Sequence, residues 1–416
     1  MRLLFLLFLL ISTNVFSQSK LVNFYKKGII LTAYKDTAHK EPVFQFKPGF
    51  RFQTRFETSG DLSGTEDWES NFLIRRARLK FDGFILNPDV VYKVELGLSP
   101  KDLASSKDFK EAGGAAKIIL DAAMKWKFYK SRNKDHSLTL WVGQTKLPGN
   151  NQRLVSSSKL QLVDRSELNS VFNLDRDIGL QLHGKFKAGQ VIIKPIFAFS
   201  KGEGRNILSN NIGGFNYTGK VEILPMGSFT SYSEGDLKKE IKPKLSFATS
   251  VNYNQGSSRQ KSTGIFLMNS DGEYLTNDLL TVFADVVFKY RGFSFLGEYG
   301  LKKILNSNLS VNDSSIISET GQSYYTGYGI STQAGYLFKH NIELAARYTM
   351  LVPDWNKSFT ATNEYTIGIS KYIIGHKLKV QTDITLIDSN DVTKYRTQRI
   401  PNSLNMRYRL QLEFSF

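Results

Sequence analysis

The chain has 416 residues, 55 lysines and arginines against 38 aspartates and glutamates, a formal charge of +17, and no cysteine. A chain without cysteine holds together without disulfides or thiolate metal sites, and no Pro- or Ser-rich linker divides it. Aromatic residues make up 13% of the chain, yet mean hydropathy is only −0.27, and no long apolar run follows the N-terminus, which excludes helical membrane spans.

At the N-terminus, Arg2 precedes an apolar run from Leu3 to Ile11, and Val15, Phe16 and Ser17 lead to a cleavage point before Gln18. Residues 1–17 are therefore expected to be a secretory signal peptide, because the run falls well short of the roughly 20 residues that span a bilayer. Residues 18–416 are expected to form one domain.

The first strand is predicted near residue 43. From Val43 to Glu57, Phe44, Phe46, Phe50, Phe52 and Phe56 share one face, while Gln45, Lys47, Arg51, Gln53 and Arg55 share the other. From Leu73 the apolar parity holds Leu73, Ala77, Leu79 and Phe81, opposed by Arg76, Arg78, Lys80 and Asp82. Similar alternation recurs at 89–98, 118–130, 137–146, 176–188, 190–200, 218–224, 243–254, 279–290, 292–303, 325–338, 341–352, 361–373 and 376–387. It closes at Leu404–Phe416, where Leu, Met, Tyr and Phe alternate without exception with Asn, Arg, Gln, Glu and Ser.

About sixteen strands result, an even number as in bacterial outer-membrane barrels. Joins near Asn87, Asn133, Ala188, Arg291, His340 and Gly375 are short; those at 57–70, 99–117, 147–175, 201–217, 255–278, 304–324 and 388–403 are mostly long. Long and short joins alternate, as extracellular loops and periplasmic turns do in a transmembrane antiparallel β-barrel. Residues 225–242 break the rule: a short turn is due there.

The faces follow from cost. An arginine facing lipid near the midplane costs about 2–4 kcal/mol, so Arg407 and Arg409 are assigned to the lumen. Antiparallel closure then places them near Arg51 and Arg55, and those near Arg76 and Arg78. Lys80, Lys93, Lys125 and Lys127 share the inward parity, and the carboxylates of that parity are fewer. The expectation is a continuous basic stripe lining a pore.

The stretches NFLIRRARLKFDGFI (71–85), LWVGQTKLP (140–148), RLVSSSKLQLVDRSELNSVFNLDRDIGLQLHG (153–184) and KPKLSFATSVNYN (242–254) resemble the phosphate-selective porin O and P family of Gram-negative outer membranes. The resemblance implies a sixteen-stranded, usually trimeric porin whose third external loop, here 147–175, folds into the channel. It also implies contact with outer-membrane lipid and lipopolysaccharide, and insertion by the barrel assembly machinery. In that loop Arg153, Lys159 and Arg165 are candidate oxyanion ligands, with Ser156, Ser157 and Ser158 as hydroxyl donors; equally, Asp164, Arg165 and Glu167 could pin the loop to the wall. Lys159 is the only lysine between Pro148 and Asp175, so the family's dense loop-lysine cluster is absent.

Function is thus expected to be passive uptake of small anions, phosphate or another oxyanion. The alternatives are a general diffusion porin that screens by size and, further off, a barrel enzyme. The five histidines give no catalytic set: His39 precedes the first strand, His136, His340 and His376 fall at turns, and His183 points inward. No metal ligand cluster, cofactor or nucleic-acid partner is expected. A plugged barrel would need bulky apolar side chains on the inner parity, where Gln45, Lys47, Gln181, Lys185, Ser246, Ser250, Gln333 and Arg347 are read instead. Gly321–Gly335 is the candidate flat outer patch for a trimer.

Overall fold

The computed structural model describes residues 30–34, 42–62, 68–103, 118–305, 318, 321, 323–354, 361–390 and 403–416. The signal segment 1–17 and His39 lie outside the described residues. After the short β1 (Leu31–Tyr34) come β2 (Pro42–Asp61), β3 (Glu69–Ile85), β4 (Val90–Gly97), β5 (Ile119–Lys130), β6 (Ser137–Lys146), β7 (Arg176–Ala188), β8 (Val191–Ser200) and β9 (Asn216–Leu224). The second half holds β10 (Lys244–Ser257), β11 (Asn277–Tyr290), β12 (Phe293–Ile304), β13 (Gly327–Leu337), β14 (Ile342–Pro353), β15 (Ala361–Tyr372), β16 (Leu378–Asn390) and β17 (Ser403–Ser415).

Strands β2 to β17 pair antiparallel in sequence order, and β17 returns to β2, so sixteen strands close a barrel without an edge. β1 pairs along the start of β2. The seam is aromatic on its lipid side: Phe414 packs on Phe50 and Phe52, and Phe416 on Phe50. The two-residue turn between β11 and β12 uses Arg291 (φ 48°) and Gly292 (φ 94°), the pair of positive φ values that a hairpin of matching twist requires. Outward positions carry exposed aromatic and aliphatic groups, among them Phe72, Phe197, Ile223, Tyr365 and Ile367.

Three sequence expectations are corrected by bulges and register. A register shift between Gln53 and Thr54 skips Arg75 in the β2–β3 ladder, so Arg76 pairs with Gln53 and Ile74 with Thr54. The parity of β3 flips there: Leu73 lines the lumen instead of facing lipid, and Arg75 joins Arg76 inside. A second shift between Trp126 and Tyr129 carries Lys127 to the periplasmic rim, where it meets Asp89 at 3.6 Å. Register also moves Arg407 and Arg409 away from Arg51, since Arg409 lies opposite Glu57 and Arg407 opposite Ser59, although Arg51 does lie opposite Arg78 as expected.

Two segments enter the barrel from opposite ends. Loop 147–175 folds in from the long-loop side and includes short helices at Asn151–Leu154 and Glu167–Phe172. The second helix begins where the Ser166 side chain accepts from Asn169 N at 3.3 Å. It buries Leu168, Val171 and Phe172 against inward-facing Phe283 and Leu351. Burying each such side chain is worth about 1.5–3 kcal/mol. Residues 225–243, where the sequence called for a short turn, climb in from the turn side: Phe229 packs with Ile192, Leu224, Val287 and Leu296. Lys289 donates to the carbonyls of Ser231, Ser233 and Gly235, and Glu234 N reaches Lys159 O at 3.1 Å, joining the two insertions.

Irregular backbone inside a barrel must find partners for its N–H and C=O groups. The wall of β10–β16 supplies them. Asp383 accepts from Val163 N at 3.0 Å and Glu298 from Gln152 N at 2.7 Å. Ser370 and Gln381 donate to Gln161 O at 2.8 and 3.0 Å, and Lys379 to Leu160 O at 3.2 Å. Room comes from small residues: a Cβ on Gly335 would sit 2.2 Å from the Gln161 side chain, and one on Gly368 2.7 Å from Leu162. Glycines 329 and 335 therefore face inward, and the outer patch expected of Gly321–Gly335 is not formed by them. Ser246, Ser250, Gln333 and Arg347 have the expected inward parity but are buried, and Phe283, Val287, Leu296 and Leu351 give this half the bulky apolar inner positions that the sequence reading missed.

Candidate functional site

The lumen that remains open is a cavity of about 1310 Å³ bounded by β17, β2–β9 and the inward loop. Its lining contains fifteen lysines and arginines against eight carboxylates, a surplus of seven positive charges. Arg55, Arg76, Arg78, Lys93, Lys125, Arg407 and Arg409 are all in it, with Arg153 and Arg165 from the loop. Four expected residues are not: Arg51, Lys80, Lys127 and Lys159. Arg51 is covered by the loop, donating to Ser157 at 2.9 Å and pairing with Glu413 at 3.0 Å. Lys80 pairs with Asp82 at 2.9 Å, half-exposed.

The expected stripe of free guanidiniums is instead an ion-paired network. Asp164, at the loop tip, meets Arg55 at 3.0 Å, Arg75 at 2.8 Å and Arg76 at 3.1 Å. Burial alone would raise the Asp164 carboxyl, but the charges of Arg75, Arg76 and Arg55 outweigh it and hold it well below the usual carboxylate range. Arg78 takes Glu95 at 2.9 Å, Arg407 takes Glu364 at 3.2 Å, and Arg409 makes a two-pronged contact with Asp383 at 2.7 and 3.0 Å. Lys93 sits between Asp121 and Glu95, and Arg153 binds Asp175. Asp164 thus pins the loop to the wall, while Arg165 braces the loop on itself through Gln152 O and Val155 O, both at 2.7 Å.

The surplus lies in cations held by neutral groups. Lys146 donates to the carbonyls of Arg153, Leu154 and Val155. Lys125 Nζ lies 3.5 Å from the Trp141 ring centre, and His183 stacks on the same indole at 3.9 Å. Arg205, from the external loop after β8, comes no closer than 3.9 Å to Asp175, and Lys261 lies over Tyr325 at 5.2 Å. Sequence reading missed Arg75, Lys146, Arg176, Lys194, Arg205 and Lys261. Arg176 and Lys146 flank the loop at its two strand ends, which was a usable signal; Arg205 and Lys261 sit on long loops whose course no alternation reveals.

Residues 46–227 match the model of the family described as phosphate-selective porin O and P. Over that stretch the chain is similar to porin O and P sequences. The match covers the first eight barrel strands and the inward loop, and over those residues the chain resembles that porin family. Among solved structures, OmpF of Salmonella typhi, in complex with daunomycin, is 12% identical, with 92% of this chain and 100% of that chain covered and a TM-score of 0.53. The outer membrane channel DcaP of Acinetobacter baumannii is 13% identical over 93% and 100%, with a TM-score of 0.51. A loop-deletion mutant of Vibrio cholerae OmpT is 10% identical over 89% and 99%, also at 0.51. At these identities the likeness is one of fold. No curated protein matches the chain.

Proposed function

We propose that this porin channel conducts small anions, phosphate or similar oxyanions, in preference to cations. The observation that carries the reading is the excess of lysine and arginine around one cavity, fifteen against eight lining carboxylates and still an excess of five once Glu364 and Asp383, the partners of Arg407 and Arg409, are counted; it includes Lys125, Lys146 and Arg165, which pair with no carboxylate among the described residues. At physiological ionic strength the Debye length is about 8 Å, so such a surplus is felt across a narrow lumen. Guanidiniums stay charged at any accessible pH and match the geometry of oxyanions. Several moderate sites in series let an ion leave as readily as it enters. A second reading, general diffusion across a transverse field, is favoured by the extent of arginine–carboxylate pairing at mid-height. Inorganic phosphate added to a planar bilayer separates the two: the anion reading expects phosphate to reduce chloride current in a saturable way, and absence of any block at tens of millimolar leaves general diffusion.

The homotrimer that the family resemblance implies is part of this proposal, as are export by residues 1–17 and contacts with lipopolysaccharide and the assembly machinery. Native mass spectrometry in detergent showing one chain per particle would overturn the trimer.

A further inference from the structure

We propose that an alcove beside the outer vestibule is a separate binding site for one small oxyanion, a reading that rests on the anion preference of the channel. The alcove has a volume of about 40 Å³ and lies between the end of the inward loop, Asn173–Asp177, and the outer ends of β10–β12. It adjoins the main cavity through Asn173, Asp175, Arg176 and Lys261, which line both.

Lys302 is the group that calls for a ligand. Its side chain lines the alcove, its exposure is 7%, and among the described residues it makes no hydrogen bond or ion pair. A buried ammonium without a partner is costly; the site relieves that cost by giving up the proton or by holding an anion. The surroundings favour the anion. Lys261 lines the same space, as does Arg259, whose guanidinium stacks on Phe266 at 4.4 Å. Buried Thr281 presents a hydroxyl that makes no hydrogen bond among the described residues.

The two carboxylates of the lining are already engaged. Asp175 is held by Arg153 and by Arg176 at 3.6 Å, and Asp177 accepts from Ile178 N at 2.9 Å and Gly202 N at 2.7 Å. Size agrees with the assignment. One water needs roughly 10–15 Å³ of such volume, so the alcove takes about three waters or the single four-oxygen anion that displaces them. Set beside the path instead of across it, the site would hold an oxyanion at the mouth without obstructing the lumen.

Selenate, a tetrahedral oxyanion with an anomalous signal, is the probe. Crystals of the full chain in detergent, soaked at low millimolar selenate, should show an anomalous peak between Lys302 and Lys261, and Lys302→Gln should lose it. Lys302→Met, which keeps the aliphatic stem, serves if the glutamine variant does not give a heat-modifiable barrel; if neither folds, the peak in the unaltered protein decides. No peak in the unaltered protein, or a peak that persists without the Lys302 charge, overturns the proposal. Reversal potential of the unaltered protein distinguishes the two failures: anion-selective current with an empty alcove sinks the alcove alone, while cation-selective current sinks the channel reading.

Discussion

The two halves of the barrel wall share one alternating pattern and do different work. Inward side chains of β10–β16, including Thr349, Lys379, Gln381 and Glu343, are at most 1% exposed because two inserted segments cover them. Inward groups of β4–β7, such as Lys93, Lys125, Trp141 and His183, border the open cavity. Polar inward parity therefore reports a need for hydrogen-bond partners, and either water or an inserted backbone can meet it. Gly335 and Gly368 tell the two cases apart, since a wall that touches only water has no need to give up its Cβ atoms.

The largest effect expected from one change concerns the seam that both halves share. Glu413 is fully buried and holds Arg51 at 3.0 Å, Gln53 at 2.6 Å and Lys379 at 3.5 Å, next to the Phe414 and Phe416 contacts. Deleting Glu413–Phe416 should abolish the heat-modifiable barrel on electrophoresis; a normal heat shift would show that closure does not depend on this seam.

Next comes the pin between the halves. Asp164→Asn leaves Arg55, Arg75 and Arg76 without their shared carboxylate, and breaking a buried ion pair from one side costs about 3–5 kcal/mol. The barrel should assemble, the loop tip should loosen, and single-channel conductance should rise and become noisy. In the unaltered protein the sign with pH follows from the depressed carboxyl: its contribution is present above the free value of about 3.9 and is lost only as pH falls through the lower folded value. Conductance at pH 5 should match that at pH 7, and a rise between those values would contradict the assignment.

Gly335→Val tests the filled half alone. The new side chain meets Gln161 and should cost about 1–3 kcal/mol in overpacking, read as a lower heat-modification temperature. Val at Gly219, whose Cβ would meet nothing within 4 Å, should cost less. Equal losses at the two positions would remove the contrast between buried and open space. Arg205→Glu on the open half is expected to act mainly on conduction, moving ion preference toward cations, with the barrel still assembled.

Much of the barrel was legible because period-2 alternation has one cause, a wall with two solvents, and it recurs in every strand from Phe44 to Phe416. Strand count and closure followed from it together with join lengths, whereas the inward fold of loop 147–175 was what the family resemblance implied. The bulge at Gln53/Thr54 was not legible: one extra residue in RRAR inverts the parity of everything before it, and alternation read from one end cannot say where the inversion falls. Nor were the partners of the arginines, since Arg76 and Asp164 are 88 residues apart and Arg51 and Glu413 still further. Phe229 and Lys289 show why 225–243 resisted reading, because the segment's meaning lies in contacts with β9, β11 and β12.

The central claim is that one half-lumen with surplus positive charge sets ion preference. Reversal potential across a planar bilayer in a tenfold potassium chloride gradient tests it most directly. The sign expected is that of chloride permeating faster than potassium, reduced in Arg205→Glu. A reversal potential at zero, or of the sign for potassium, would contradict the account.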